Sequence, residues 1–151
     1  MSQSLSKVYL HLIFHIKSNS PTIRREDQSR VFAYLGELIN AAGCINIYVN
    51  GIDDHVHALC LLGRECTVSH LLEEIKRNSS RWIKSIDRYY GNFAWQGGYA
   101  AYSVSQSVVE TTLQYIKNQE EHHRKVSFRD EYLKFLQLYG IEYDERYVFA
   151  D

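Results

Sequence analysis

The order of strand-like and helix-like patterns is the feature that most constrains how this chain can fold. Residues 8–17 (VYLHLIFHIK) alternate along a strand, and residues 24–42 then carry an apolar stripe at helical spacing. The later predicted elements are two strands, a helix and a strand, over 44–50, 54–62, 67–88 and 99–104. This succession predicts an α+β domain of ferredoxin-like split βαβ topology, with an antiparallel sheet and its helices on one face.

Two more helices follow the predicted core. Ser107 and Glu110 form a capping-box pattern that predicts the start of a helix over 107–124, and a last helix is predicted over 128–139. The chain has 151 residues, one proline and no linker-like or repeated segment. We therefore expect a single domain over residues 1–151.

The bulk composition is that of an ordinary globular protein. The formal net charge is −1, which does not by itself indicate a nucleic-acid binder. No apolar run is long enough to cross a bilayer, and the N-terminal segment lacks the apolar stretch of a secretory signal. Cys44, Cys60 and Cys66 lack metal-type pairing and are interpreted as free thiols. These features predict a cytoplasmic protein with no membrane partner.

Two histidines stand near the start of the third predicted strand, in the segment DDHVHAL. Because side chains alternate along a strand, His55 and His57 project from one face, about 6.5–7 Å apart at Cα. Two neutral imidazoles at this spacing can bind one metal ion, with Asp53 or Asp54 as a ligand or hydrogen-bond acceptor. On the residues alone, hydrogen-bonded core histidines and turn-forming aspartates are the more common explanation.

The helix predicted over 107–124 places a phenol and an amide on one face. Tyr115 and Gln119 are four residues apart, and His122 lies one turn beyond Gln119. A tyrosine hydroxyl beside a metal-activated phosphodiester can act as a nucleophile. On spacing alone, a surface tyrosine packed against a neighbour is the more common explanation.

Positive charge is concentrated on the helix predicted over 67–88. At 100° per residue, four basic side chains fall within a narrow arc opposite the apolar side. We call them the basic stripe: Arg77, Arg81, Lys84 and Arg88. Such a stripe suits contact with DNA phosphates, and a solvated helix face explains it equally well.

Four segments occur in a specific order along the chain. They are DDHVHAL, the basic amphipathic helix, WQGGYAAYSVSQS and YIKNQEEHH. Together they resemble the single-tyrosine HUH transposases, small insertion-sequence enzymes with relatives associated with repetitive extragenic palindromes. The resemblance runs from HLIFHIK at 11–17 to the C-terminal tail. His-hydrophobic-His followed by Tyr-x-x-x-Gln is specific in combination.

The resemblance implies roles for four residues. His55 and His57 match the pair that binds a divalent metal, Mg²⁺ or Mn²⁺, and Gln119 matches the glutamine that completes that site. Tyr115 matches the nucleophile that cleaves and rejoins single-stranded DNA with hairpin ends through a 5′-phosphotyrosine. The resemblance also implies a homodimer, in which the tyrosine helix of one subunit often lies against the histidines of the other.

Two other classes of function remain open at this point. The chain could hold single-stranded nucleic acid without cutting it, using its sheet and the basic stripe. It could also be a metal-dependent phosphodiesterase that uses water as its nucleophile. Neither explains why Tyr115 and Gln119 lie one helical turn apart.

Overall fold

A computed structural model describes residues 2–151, and its centre is a four-stranded antiparallel sheet. The strands β1 (Tyr9–His15), β2 (Ile45–Gly51), β3 (His55–Leu61) and β4 (Ala100–Val104) lie in the order β2-β3-β1-β4. Helix α1 (Arg25–Ala41) connects β1 to β2, and α2 (Val68–Ile86) lies between β3 and β4. The predicted split βαβ core is therefore confirmed.

The C-terminal part contains three short helices where the sequence predicts two longer ones. It contains α3 (Val109–Lys117), α4 (Gln119–His122) and α5 (Phe128–Leu138). The helix expected over 107–124 is interrupted at Asn118, whose N–H is shared between the carbonyls of Gln114 and Tyr115. None of the helices within residues 2–151 is long and apolar enough to cross a membrane.

The predicted capping box at Ser107 and Glu110 is wrong. Residues Gln106–Val108 form a 3₁₀ turn, and the N-cap position of α3 is Val108, without a side-chain capping bond. The Ser107 hydroxyl instead contacts the Ser105 hydroxyl at 3.1 Å. The start of α3 therefore follows from the 3₁₀ turn and not from a capping side chain.

The two faces of the sheet are chemically different. Alternate residues of β1, including Leu10, Leu12 and Phe14, lie in a cluster with apolar side chains of α1 and α2, and we call this the apolar face. The other residues of β1 include His11 and His15, and this histidine face lies under α3 and α5. The side of the sheet that the core topology leaves open is thus covered by the C-terminal helices.

The helix ends that frame the core follow their sequence signals. Gly43 after α1 has a φ of 88°, and the Cys44 N–H reaches back to the Ile39 carbonyl at 3.3 Å. This is the left-handed C-terminal cap that a glycine allows. The Thr67 hydroxyl accepts a hydrogen bond from the His70 N–H at 3.1 Å, as expected for an N-cap.

One buried hydrogen bond on the apolar face gives a testable prediction about the stability of the fold. The Trp95 indole N–H donates to the Ser79 hydroxyl at 2.9 Å, and the Ser79 side chain is fully buried. Replacing Ser79 by Ala leaves that donor unpaired, so we expect a loss of about 1–3 kcal/mol in the free energy of unfolding. Urea denaturation measures it. Ser85→Ala, at an exposed position of the same helix, should change stability by less than about 0.5 kcal/mol. Equal effects of the two changes would contradict this assignment.

Candidate metal and tyrosine site

Strand β3 holds the two predicted histidines in the middle of the sheet. His55 lies opposite His15 of β1 and His57 opposite Ile13, and both histidine side chains are fully buried. Gly51, just before the turn into β3, has no room for a side chain, since a Cβ there would lie 2.2 Å from the His55 carbonyl oxygen. This tight turn fixes where the first histidine begins its strand.

A carboxylate from α5 reaches the same point. Glu131 Oε1 lies 3.0 Å from His57 Nε2, 3.4 Å from His55 Nε2 and 3.2 Å from His123 Nε2. We call these four residues the histidine–glutamate cluster. One ligand atom from each lies within 4.8 Å of the others. Imidazole nitrogen and carboxylate oxygen both bind divalent metal ions in proteins, so the donor chemistry fits such an ion.

Tyr115 and Gln119 join the cluster from α3 and α4 of the same chain. The Tyr115 hydroxyl donates to Glu131 Oε2. Gln119 Nε2 donates to that oxygen at 3.3 Å, and its Oε1 lies 3.2 Å from His55 Nε2. The four residues singled out in the sequence, His55, His57, Tyr115 and Gln119, are therefore brought together, with Glu131 between them.

Strand β2 is hydrogen-bonded to the end of α3, the helix that carries Tyr115. The Asn50 side-chain amide donates to the carbonyl oxygens of Ile116 at 2.9 Å and Lys117 at 3.3 Å. These carbonyls lie at the end of α3, where the helix itself offers no partner. The bond fixes the position of the turn that follows Tyr115.

Each histidine of β3 has a hydrogen-bond partner behind its ring. His55 Nδ1 lies 2.8 Å from Asp54 Oδ1, and His57 Nδ1 lies 2.8 Å from His11 Nε2. Such partners set the tautomer and orientation of a metal-binding imidazole and leave the other nitrogen facing the ion. Asp54 thus takes the outer position that the sequence allowed, and His11 is an outer partner that the sequence reasoning missed.

Burial and hydrogen bonding shift the pKa values in opposite directions. Burial lowers the pKa of His57 to about 4. Burial alone would also lower the pKa of His55, but hydrogen bonds to Asp54 and Glu131 raise it. For Glu131, hydrogen bonds from His123, His55 and His57 outweigh burial and hold the pKa well below its usual range. The cluster therefore keeps Glu131 as a carboxylate and His57 neutral.

The same environment holds Tyr115 in its protonated form. Burial and the hydrogen bond to the Glu131 carboxylate raise the pKa of the phenol. His122 Nε2 lies 3.3 Å from the Tyr115 hydroxyl, so the histidine one turn beyond Gln119 does lie on the tyrosine side.

The basic stripe lies away from this site. Helix α2 packs on the apolar face through Leu72, Ile75 and Ile83, on the opposite side of the sheet from His55. Arg77 pairs with Glu73 at 3.3 Å and with Glu74 on its own helix. All four stripe residues are exposed, but α2 ends at Ile86, so Arg88 lies in the following 3₁₀ turn Arg88–Tyr90 and not on the helix as predicted. The contact of the stripe with DNA stays a prediction.

His123 and Glu131 are the two cluster residues that sequence reasoning missed. His123 stands four residues after Gln119, the same spacing that links Tyr115 to Gln119, so it was detectable. Glu131 stands on the buried side of α5 next to Tyr132. The available signal was an acidic residue, Glu131, within the apolar stripe of a predicted helix. The sequence does not show which residues would contact it.

Comparison with known proteins identifies the family. The profile of the family described as "Transposase IS200 like" matches residues 4–119, more than three-quarters of the chain. The chain belongs to the IS200-like transposase family. The matched part of the chain ends at Gln119 and includes Tyr115 and both β3 histidines. No curated protein matches the sequence.

Solved structures share the transposase fold. One is a candidate transposase from Deinococcus radiodurans, with 20% sequence identity, a TM-score of 0.59, and coverage of 79% of this chain and 98% of that one. Another is a REP-associated tyrosine transposase bound to a REP hairpin, with 11% identity, a TM-score of 0.55, and coverage of 83% and 74%. At these identities the likeness establishes the fold.

The lowered histidine pKa values predict an acid-sensitive fold. Burial lowers the pKa of His15 and His57 to about 4 in the folded state, against 6.5 when unfolded. Between these values the unfolded chain binds more protons, so their contribution to stability is present above pH 6.5 and lost as pH falls toward 4. Glu131, whose pKa is lowered, loses its contribution below about 4.5. His55, with a raised pKa, opposes this by stabilising the fold at lower pH.

We expect His15→Phe to flatten this pH dependence. The His15 ring lies between the rings of Phe128, Tyr132 and Phe149, and its Nδ1 has no hydrogen-bond partner among the described residues. Urea unfolding at pH 6.5 and 5 should show a loss of stability smaller by about 1.5 kcal/mol than in the unchanged protein. The exposed His70→Gln is the control. An unchanged slope in His15→Phe would show that His15 is not titrating as described.

Proposed function

We propose that this protein cleaves and rejoins single-stranded DNA through a covalent 5′-phosphotyrosine on Tyr115, with a divalent metal ion. One observation carries the proposal. The Tyr115 hydroxyl and the Nε2 atoms of His55 and His57 meet at the two oxygens of one carboxylate. Membership of the transposase family supplies the class of reaction.

The proposed cleavage is a transesterification. Tyr115 Oη gives up its proton as it attacks the scissile phosphorus, and the bond from phosphorus to the 3′ oxygen breaks. The leaving 3′ oxygen takes up one proton to become a hydroxyl, so no proton is consumed overall. The phosphotyrosine keeps the energy of the phosphodiester, so a 3′ hydroxyl can reverse the step without a nucleotide cofactor. Glu131 Oε2, which accepts the Tyr115 hydrogen bond, holds the nucleophilic oxygen in place.

The metal-binding roles follow from the donors that face one another. His55, His57 and Gln119 would hold the ion, Mg²⁺ or Mn²⁺, through two imidazole nitrogens and an amide oxygen. When bound, such an ion neutralises phosphate charge and orients the scissile bond. His11 and Asp54 hold the two rings from behind.

A cavity beside the nucleophile offers a route for the DNA strand. It has a volume of about 460 Å³, and it opens to the surface beside Tyr115 and His122. Lys125 lines it and can contact a phosphate, and the side chains of Gln114 and Asn118 can contact a base. The hairpin preference is inferred from the relative that is bound to a REP hairpin. A homodimer is part of the proposal and can be measured by light scattering.

The nucleophile assignment predicts a covalent product. Protein mixed with labelled single-stranded hairpin DNA and Mg²⁺ or Mn²⁺ should give an adduct that survives denaturing electrophoresis. Tyr115→Phe should abolish the adduct, because the attacking oxygen is gone. Tyr147→Phe, at an exposed position in the tail, should leave it unchanged.

Other outcomes would select the other classes of function. An adduct that persists in Tyr115→Phe, or that forms only with duplex DNA, would refute the tyrosine mechanism. Cleavage without an adduct in Tyr115→Phe would indicate a phosphodiesterase that uses water. Binding of the hairpin with no adduct at any metal concentration would indicate a binding module.

The basic stripe gives a separate prediction about affinity. Arg81→Ala and Lys84→Ala should each weaken hairpin binding and lower the salt dependence of the binding constant by about one charge. Filter binding at several salt concentrations measures both. The fraction of bound DNA that becomes adduct should not change, since α2 lies on the far side of the sheet. An unchanged affinity would make the stripe a solvated helix face.

A further inference from the structure

Helix α5 carries a buried carboxylate on its apolar side. Glu131 is 2% exposed and stands beside Tyr132 and Leu136 on the buried side of the helix. The Ser127 hydroxyl caps this helix by accepting from the Asp130 N–H at 3.1 Å, so the register that buries Glu131 is set at its first turn. A charge buried in this way is costly unless it is paired or binds a metal.

Three imidazole nitrogens surround Glu131 from two different elements. His55 and His57 come from β3, and His123 follows α4, where its Nδ1 contacts the Val126 carbonyl at 2.8 Å. That bond leaves His123 Nε2 facing Glu131 Oε1 at 3.2 Å and Gln119 Oε1 at 3.0 Å. The ring is thus held from behind in the same way as the two β3 rings.

We propose that His123 and Glu131 are ligands of the metal ion together with His55 and His57, and that the site takes a first-row transition-metal ion in preference to Mg²⁺. The inference rests on the proposed function, which puts a divalent ion at this site. The family match ends at Gln119, so both added ligands lie beyond the part of the chain that it covers.

The preference follows from the donors. Three imidazole nitrogens suit Mn²⁺, Zn²⁺ and similar ions, whereas Mg²⁺ prefers oxygen ligands and keeps most of its water. With Gln119 as the third ligand, the site has two nitrogens. With His123 it has three, and Glu131 adds the negative charge that balances a dication. The added residues therefore change which ion the site selects.

Glu131 also connects the metal site to the nucleophile. Its Oε1 faces the three imidazoles, and its Oε2 accepts from the Tyr115 hydroxyl. A carboxylate shared in this way is both a ligand and the group that positions Tyr115. Its replacement should therefore alter metal affinity even when DNA is absent.

The test measures metal binding without DNA. The full chain is titrated with MnCl₂, and free Mn²⁺ is followed by its electron paramagnetic resonance signal, with Mg²⁺ added as a competitor. We expect Mn²⁺ to resist a large excess of Mg²⁺. Glu131→Gln and His123→Asn should each weaken Mn²⁺ binding by roughly tenfold to a hundredfold or more, since even outer partners of metal ligands have effects of that size.

Matched control variants distinguish the loss of a metal ligand from a general loss of folding. Asp130→Asn changes the neighbouring exposed acid on the same helix, and His70→Gln changes an exposed histidine. Both should bind Mn²⁺ as the unchanged protein does. Circular dichroism shows whether each variant is folded. If Glu131→Gln does not fold, the Mn²⁺ affinity of His123→Asn is the deciding measurement. The rise in melting temperature with Mn²⁺ should be lost in both ligand variants.

Two results would overturn the inference. One is Mn²⁺ affinity that is unchanged or higher in both ligand variants, which would show that neither His123 nor Glu131 binds the metal ion. The other is displacement of Mn²⁺ by an equal concentration of Mg²⁺. Neither depends on DNA cleavage. The adduct assay with Tyr115→Phe is a separate measurement, so failure of the tyrosine mechanism is distinguishable from failure of this inference.

Discussion

The buried carboxylate of Glu131 is the interaction on which the rest of the site depends. It is the point where β3, α3, α4 and α5 meet, through the two imidazoles of β3, the Tyr115 hydroxyl of α3, the Gln119 amide of α4 and the imidazole of His123. Removing one partner weakens the compensation of a buried charge, which costs stability in a low-dielectric interior. The elements are therefore held in one arrangement by electrostatics as much as by apolar packing.

The two faces of the sheet have different roles: one carries the apolar core and the other carries the candidate site. Its apolar face carries a large cluster with α1 and α2, including Leu12, Phe14 and Ile75, all fully buried. Its histidine face buries polar groups instead, which cost free energy unless each finds a partner. The apolar face offsets that cost, so this chain can keep a polar site under its C-terminal helices.

The sequence was sufficient for the core and for half of the site. Alternation gave the strand faces, and so placed His55 beside His57, while helical spacing placed Tyr115 beside Gln119. Their meeting depends on the break at Asn118 and on the Asn50 bonds to the end of α3, which no spacing rule reveals. Glu131 was missed because its role is set by long-range packing of α5 and by nothing in its neighbours.

The closed state of the site sets a requirement for the proposed reaction. His55, His57 and Gln119 are fully buried, so a DNA phosphate cannot reach their facing atoms in this conformation. The histidines belong to a central strand bonded on both sides and are fixed by the sheet. Helices α3 to α5 hold the other side through side-chain bonds and ring contacts, such as the Phe128 ring stacked on His55 at 4.2 Å. Substrate entry must therefore move part of the helical side, while the histidines of β3 stay in place.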